Sequence, residues 1–155
     1  MKTLKKILCL VAVFTLSACS ENDPVIFQDA FIYLTDANNL NASSVDSSAN
    51  NVGTYYIILV APAIGQDLQV TYDLIAGNGL KADVDYRQVA STASPITIPT
   101  GIYRLPIRIE WLAHELDATK DNTLQIVLRS CDNPIVGIGR PGPDQYGVKY
   151  TITKK

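Results

Sequence analysis

Cysteine is scarce in this chain, with three in 155 residues. Cys9 lies inside an N-terminal apolar run and Cys19 at its end, which leaves Cys131 alone for the folded body. One thiol makes no disulfide framework, so the core must be held together by burial. Cys131 itself reads as a small buried or half-buried residue at a strand end. Histidine is scarcer still: His114 is the only one. It precedes Glu115, but there is no H-E-x-x-H, no second His for a zinc site and no G-x-S-x-G elbow. The sequence therefore predicts a solvated His114 in an inter-strand loop. An excess of positive charge is also missing. Without residues 1–18, which carry Lys2, Lys5 and Lys6, Lys+Arg falls from 13 to 10 against 15 Asp+Glu, a net charge near −5. That balance argues against nucleic acid, whose phosphates demand a basic patch. Long hydrophobic runs are absent too. The N-terminal apolar run, Ile7 to Phe14, is too short to span a bilayer. Gly137-Ile138-Gly139 is followed by neither a lysine nor a helix, which excludes a phosphate loop.

The N-terminus carries the clearest local pattern. Lys2, Lys5 and Lys6 form a positive n-region, Ile7 to Phe14 an apolar h-region, and Leu16-Ser17-Ala18-Cys19 follows. This segment resembles the signal peptide and lipobox of bacterial lipoproteins. The resemblance implies cleavage before Cys19, a diacylglycerol thioether on its sulfur and acylation of the new amino terminus. Several chains anchor far better than one, because each buried CH₂ adds roughly 0.8 kcal/mol. Ser20-Glu21-Asn22-Asp23 is similar to the acidic surface-export signal of lipoproteins from the Bacteroidota. The expected organisation is a signal peptide over 1–18, a lipidated Cys and tether over 19–24, and one domain over 25–155.

From Val25 on, period-two alternation dominates. Leu68, Val70, Tyr72 and Leu74 oppose Gln69, Thr71 and Asp73. Tyr103, Leu105, Ile107, Ile109 and Trp111 oppose Arg104, Pro106, Arg108 and Glu110. Leu124, Ile126 and Leu128 repeat the pattern, as do Val148, Tyr150 and Ile152 before a solvated end at Lys154-Lys155. Such runs are half-buried strands of an antiparallel sheet. Thr54 to Ala61, apolar on both faces, reads as a central strand. Val25 to Leu34 is a first strand, with polar Gln28-Asp29 marking a bulge or sheet switch. Short strands are expected at Arg87 to Ala90 and at Ile96 to Ile98. Two polar stretches, 35–53 and 132–147, read as long loops. In the first, Asp36, Asn38, Asn39 and Asn41 have the chemistry to coordinate Ca²⁺ or bind sugar hydroxyls, but the composition is that of a surface loop. The sum is a single all-β, antiparallel sandwich of about seven to eight strands.

The order Val70-Thr71-Tyr72, a Gly-rich turn, Ala82 to Asp85-Tyr86, Ile96-Thr97-Ile98-Pro99, Gly101 and then Ile107-Arg108-Ile109 resembles the Calx-β type of immunoglobulin-like module, over about residues 54–153. It is similar as well to small DUF1735-like lipoprotein domains of the Bacteroidota, many found beside SusC/SusD-type glycan-uptake systems. The residues themselves give Asp85 and Tyr86 structural roles. The Tyr buries its ring at a strand entrance while its hydroxyl bonds the backbone, and the Asp satisfies turn N–H groups. The resemblance also implies an acidic, Ca²⁺-binding connection after the long strand. Here Glu110, Glu115, Asp117 and Asp121 are present, but Trp111-Leu112 stands where the family's acidic pair belongs. Ca²⁺ wants six to eight oxygens, and no dense D-x-D-x-D loop occurs.

No catalytic set emerges. The expectation is a non-enzymatic, lipid-anchored module of the cell envelope, an outer-membrane lipoprotein that binds a glycan or a protein partner. Trp111 and most tyrosines sit in the inward register, so Tyr103, Arg140 and Tyr146, at loop edges, are the candidate ligand contacts. The alternative is a Ca²⁺-binding or small hydrolytic domain using Glu110, Glu115, Asp117 and Asp121.

Overall fold

The computed structural model describes residues 29–155. The signal segment, Cys19, and the expected strand start at Val25 with Gln28 lie outside the described residues. Ten strands follow: β1 (Ala30–Thr35), β2 (Ala42–Val45), β3 (Asn51–Val60), β4 (Leu68–Ala76), β5 (Tyr86–Gln88), β6 (Ile96–Ile98), β7 (Arg104–Trp111), β8 (Thr123–Cys131), β9 (Val136–Ile138) and β10 (Lys149–Lys154). They make two five-stranded sheets, ordered β5-β7-β3-β1-β9 and β2-β10-β8-β4-β6. The result is an immunoglobulin-like β-sandwich. Among the described residues the only helical element is one 3₁₀ turn at Ala90–Thr92.

Two strands lie where loops were expected. Within 35–53, β2 pairs with β10, Thr151 opposite Ala42 through Lys154 opposite Val45. Within 132–147, β9 pairs with β1, Ala30 opposite Val136. Both pairings are parallel, so the sheets are mixed and not wholly antiparallel. The physical reason is short length within a stretch of loop-like composition. Edge strands of three or four residues need only one or two inward side chains, Val45 and Val136 here, and carry too few alternations for a period to register. The strand over Val25 to Leu34 begins, within the described residues, at Ala30, and that over Arg87 to Ala90 is β5.

The alternating runs point as their periods predict. Leu68, Val70 and Tyr72 on β4, Ile107, Ile109 and Trp111 on β7, Leu124, Ile126 and Leu128 on β8, and Tyr150 and Ile152 on β10 are all buried. β3 lies between β1 and β7. It sends Tyr55, Ile57 and Leu59 inward and holds Tyr56, Ile58 and Val60 half-buried on its other face. The two sheets meet through aromatic rings. Tyr55 packs against Tyr150 of the other sheet, the tilted rings 5.0 Å apart between centroids, and within its own sheet its hydroxyl accepts the Trp111 indole N–H at 3.3 Å. Cys131 ends β8 half-buried, and burial pushes its thiol pKa up.

The corner differs from expectation in one atom. Tyr86 buries its ring, 6.4 Å from that of Trp111, but among the described residues its hydroxyl has no hydrogen-bond partner. The hydroxyl that bonds the backbone is Tyr72's. It donates to the Thr92 carbonyl and accepts from Gln88 Nε2 at 2.6 Å. Tyr72 sits on the long inward strand, where its phenol reaches the 3₁₀ turn. Tyr86 points instead at the indole.

Burial pushes Tyr72 up to about 12, against the lowering effect of the Gln88 bond. Burial does the same for Tyr150, also to about 12. An unfolded phenol ionises near 10. Between about pH 10 and 12 the unfolded chain therefore releases protons that the folded chain keeps, and stability present below pH 10 is lost as pH rises. Thermal melts followed by circular dichroism should show a midpoint falling steeply above pH 10, with a shallower fall in Tyr72→Phe. A wild-type midpoint level to pH 12 would contradict the burial of these phenols.

Candidate functional site

Asp85, His114 and Lys154 meet at one end of the sandwich. Lys154 is the last residue of β10, and the alternation that turns Tyr150 and Ile152 inward turns it inward too. It is buried, at 1% exposure, which corrects the expected solvated end. Its Nζ donates to the Leu112 carbonyl at 2.7 Å, to the Asp85 carbonyl at 3.3 Å and to Asp85 Oδ1 at 3.2 Å. Asp85 Oδ2 accepts the Lys81 N–H at 2.8 Å, the turn-satisfying role expected of it. His114 Nδ1 lies 3.0 Å from Asp85 Oδ1. The His side chain is half exposed, but it is anchored on Asp85 and not simply solvated. Burial acts to raise the pKa of Asp85. The Lys81 N–H, Lys154 and His114 outweigh it, and the carboxyl stays below its ordinary value. Three groups that could do acid–base work are thus spent on one another and on backbone carbonyls.

The four carboxylates offered for Ca²⁺ are not gathered. Glu110 lies on the outer face of β7, 3.5 Å from the Arg87 guanidinium. Asp117 closes its own turn on Thr119 and pairs with Lys120 at 3.5 Å. Asp121 does the same for Thr123. Glu115 lines a hollow of about 630 Å³ with Leu116, Lys120, Asp121 and Lys154. Among the described residues no three His, Cys, Asp or Glu side chains stand close enough together to share a cation. Asp36 is likewise committed. One oxygen accepts the Asn38 and Leu40 N–H groups, and the other accepts the Tyr150 hydroxyl at 3.2 Å.

The outer face of the β5-β7-β3-β1-β9 sheet is of another kind. Phe31 and Tyr33 alternate with inward Ile32 and Leu34 on β1, and their ring centroids lie 6.0 Å apart. Register places Tyr33 beside Ile58 of β3, and Ile58 beside Arg104 of β7. Tyr56, one row along, faces outward as well. The Arg104 guanidinium lies over the Tyr56 ring, 3.6 Å from its centroid. Arg140, arriving after β9, lies over Tyr33 at 4.1 Å and near Tyr146 at 5.2 Å. The 139–147 loop can sit this close because Gly147 has φ +84°, and a Cβ there would fall 2.8 Å from that of Tyr33. Cation–π contact of this kind favours guanidinium over ammonium.

Arg140 and Tyr146 are therefore brought together, on a face that also holds Tyr33, Tyr56 and Arg104. Tyr103 is not with them. It precedes β7 in the inward register and borders a small hollow with Leu59, Leu68 and Ile98 at the open end of the sandwich, 44% exposed. Reading by sequence missed exposed Arg104 and half-buried Tyr56 as outer-face groups, and with them Tyr33, which points to that face but is buried, with Arg140 over its ring. The available signal was the two-faced apolar character of β3, which leaves Tyr56 and Ile58 on the outside. The opposite sheet's outer face is plain by comparison, with Thr71 bonded to Ser130 and Arg129 paired with Asp73. No family model and no curated protein matches this chain.

Proposed function

We propose that this chain is a non-enzymatic, lipid-anchored module of the cell envelope, an outer-membrane lipoprotein that holds a glycan or a protein partner on the outer face of its β5-β7-β3-β1-β9 sheet. The observation that carries the reading is the pair of Tyr-stacked arginines on that face, Arg104 on Tyr56 and Arg140 between Tyr33 and Tyr146. Aromatic and arginine side chains are the groups enriched where proteins recognise other molecules. The commitment of Asp85, His114 and Lys154 to one another supports a binding role over a catalytic one. The anchor rests on Leu16 to Cys19, and the kinship with Calx-β-like and DUF1735-like envelope domains on Ala82 to Tyr86. The calcium alternative draws less support, since its four carboxylates are dispersed.

Metabolic labelling with a palmitate analogue tests the anchor. Label should enter the wild-type chain and be absent from Cys19→Ser, with the variant lost from the membrane fraction. Equal partitioning of both would remove lipidation from the proposal. For the binding role, immobilised chain should retain a polysaccharide or an outer-membrane protein, and the charge-removing pair Arg104→Gln with Arg140→Gln should release it. Retention by neither variant nor wild type across glycan and envelope-protein fractions would defeat it.

A further inference from the structure

We infer that the Tyr-stacked arginine face takes a carboxylate-bearing polysaccharide, a polymer of uronic-acid type, and not a neutral glycan. This deepens the binding reading above and rests on it. Arg104 and Arg140 have no carboxylate within ion-pair distance among the described residues, whereas Arg87 and Arg129 are both paired. Arg108 projects from the same face of β7 as Arg104, opposite Thr54, and it too is exposed and, among the described residues, without an ion-pair partner. Glu110 on that face is occupied by Arg87. In a chain whose mature charge is near −5, three unneutralised guanidiniums on one sheet face form a local positive field. Arg104 and Tyr33, whose ring Arg140 covers, are two strands apart, about 10 Å at a spacing of roughly 4.8 Å. Two sugar units of an extended polymer span a comparable distance.

The chemistry favours carboxylate. A guanidinium fork matches a planar carboxylate in bidentate fashion. Stacking on tyrosine holds each fork before a ligand arrives, which lowers the ordering cost of binding. Tyr146, 40% exposed, and half-buried Ile58 between the forks offer apolar contact to the C–H faces of a sugar ring. Nucleic acid would meet the overall negative charge of the body at longer range.

Affinity electrophoresis and calorimetry on the full chain in detergent micelles test this, with polygalacturonate as probe and its fully methyl-esterified form as the neutral control. Binding is expected to polygalacturonate alone and to weaken with salt. Arg104→Gln and Arg140→Gln should each weaken it by about tenfold, equivalent to roughly 1.4 kcal/mol. Arg104→Lys should recover only part of the loss, and Arg129→Gln on the opposite sheet should change nothing. Melting midpoints of all four variants, taken alongside, separate lost binding from lost fold. Equal binding of the esterified polymer, abolished by the same arginine changes, would overturn the carboxylate inference and leave the binding face standing. Binding only to an acidic envelope protein at this face would overturn the polysaccharide assignment while leaving the binding face standing. Polygalacturonate binding that Arg129→Gln weakens as much as Arg104→Gln would overturn the assignment to this face. No retention of any glycan or partner would defeat both readings.

Discussion

Replacing Lys154 by Met should lower folding stability by about 3–5 kcal/mol, the cost of stranding a buried charge without its partner. For a domain of this size that is a fall in melting midpoint on the order of 10–20 °C. The size follows from position. Both partners are almost fully buried, at 0% and 2% side-chain exposure, and the Asp85 carboxylate keeps only the Lys81 N–H and half-exposed His114 when the ammonium goes. The companion variant Asp85→Asn with Lys154→Met should recover most of the loss, since an amide still accepts the Lys81 N–H and no charge is left stranded. The effect has a pH signature. In the wild type the Asp85 carboxyl is held below its ordinary value. Its contribution is fully present above about pH 4 and is lost as pH falls through the folded-state pKa. In Lys154→Met that contribution is already gone, so the gap between the two chains should narrow on acidification. Chemical denaturation at pH 7 and pH 3.5 measures both. A gap that is absent at pH 7, or that widens at pH 3.5, would mean the ammonium does not sit on Asp85.

The second large effect belongs to Trp111. Its truncation to Ala should cost about 3–5 kcal/mol, because the indole is fully buried between the sheets, against Tyr86 and bonded to Tyr55. The informative partner is Gly53, one strand over. A Cβ at Gly53 would lie 2.8 Å from the Tyr55 hydroxyl and 2.9 Å from the Trp111 indole nitrogen. Gly53→Ala should cost about 1–3 kcal/mol in the wild type, as overpacking does. It should cost less once Trp111→Ala has opened the space. The two changes then couple in a double-mutant cycle, as contacting residues do. Strict additivity by urea titration would show that Gly53 and the indole do not compete for the same volume.

Both predictions sit on residues whose legibility differed. Trp111 was readable as core, since it closes an alternation that runs through Leu105, Ile107 and Ile109 on β7. Lys154 obeys the same rule on β10, two residues beyond Ile152, yet its charge argued for solvent. Register outranks residue type when a buried carboxylate waits opposite, and Asp85 is 69 positions away in sequence, where no local pattern reaches. The long strands declared themselves through five to nine residues of period two or, in β3, through a run apolar on both faces. β2 and β9 did not, because they are short and lie in polar or Gly- and Pro-rich stretches whose composition reads as loop, whereas equally short β6 is bracketed by two prolines. The candidate face was half readable. Arg140 and Tyr146 stand out in a loop poor in bulky side chains, whereas Tyr33, Tyr56 and Arg104 join them only through the β1-β3-β7 register. Tyr103 adjoins Arg104 in sequence, but strand alternation sends the two to opposite sides.

The ends of the two sheets are closed by β5, β9, β2 and β6, none longer than four residues, while every strand of six or more has a neighbour on both flanks. An unpaired ladder that short gives an incoming chain few backbone groups to zip onto. Copies at high concentration should therefore remain separate particles instead of growing into fibres edge to edge.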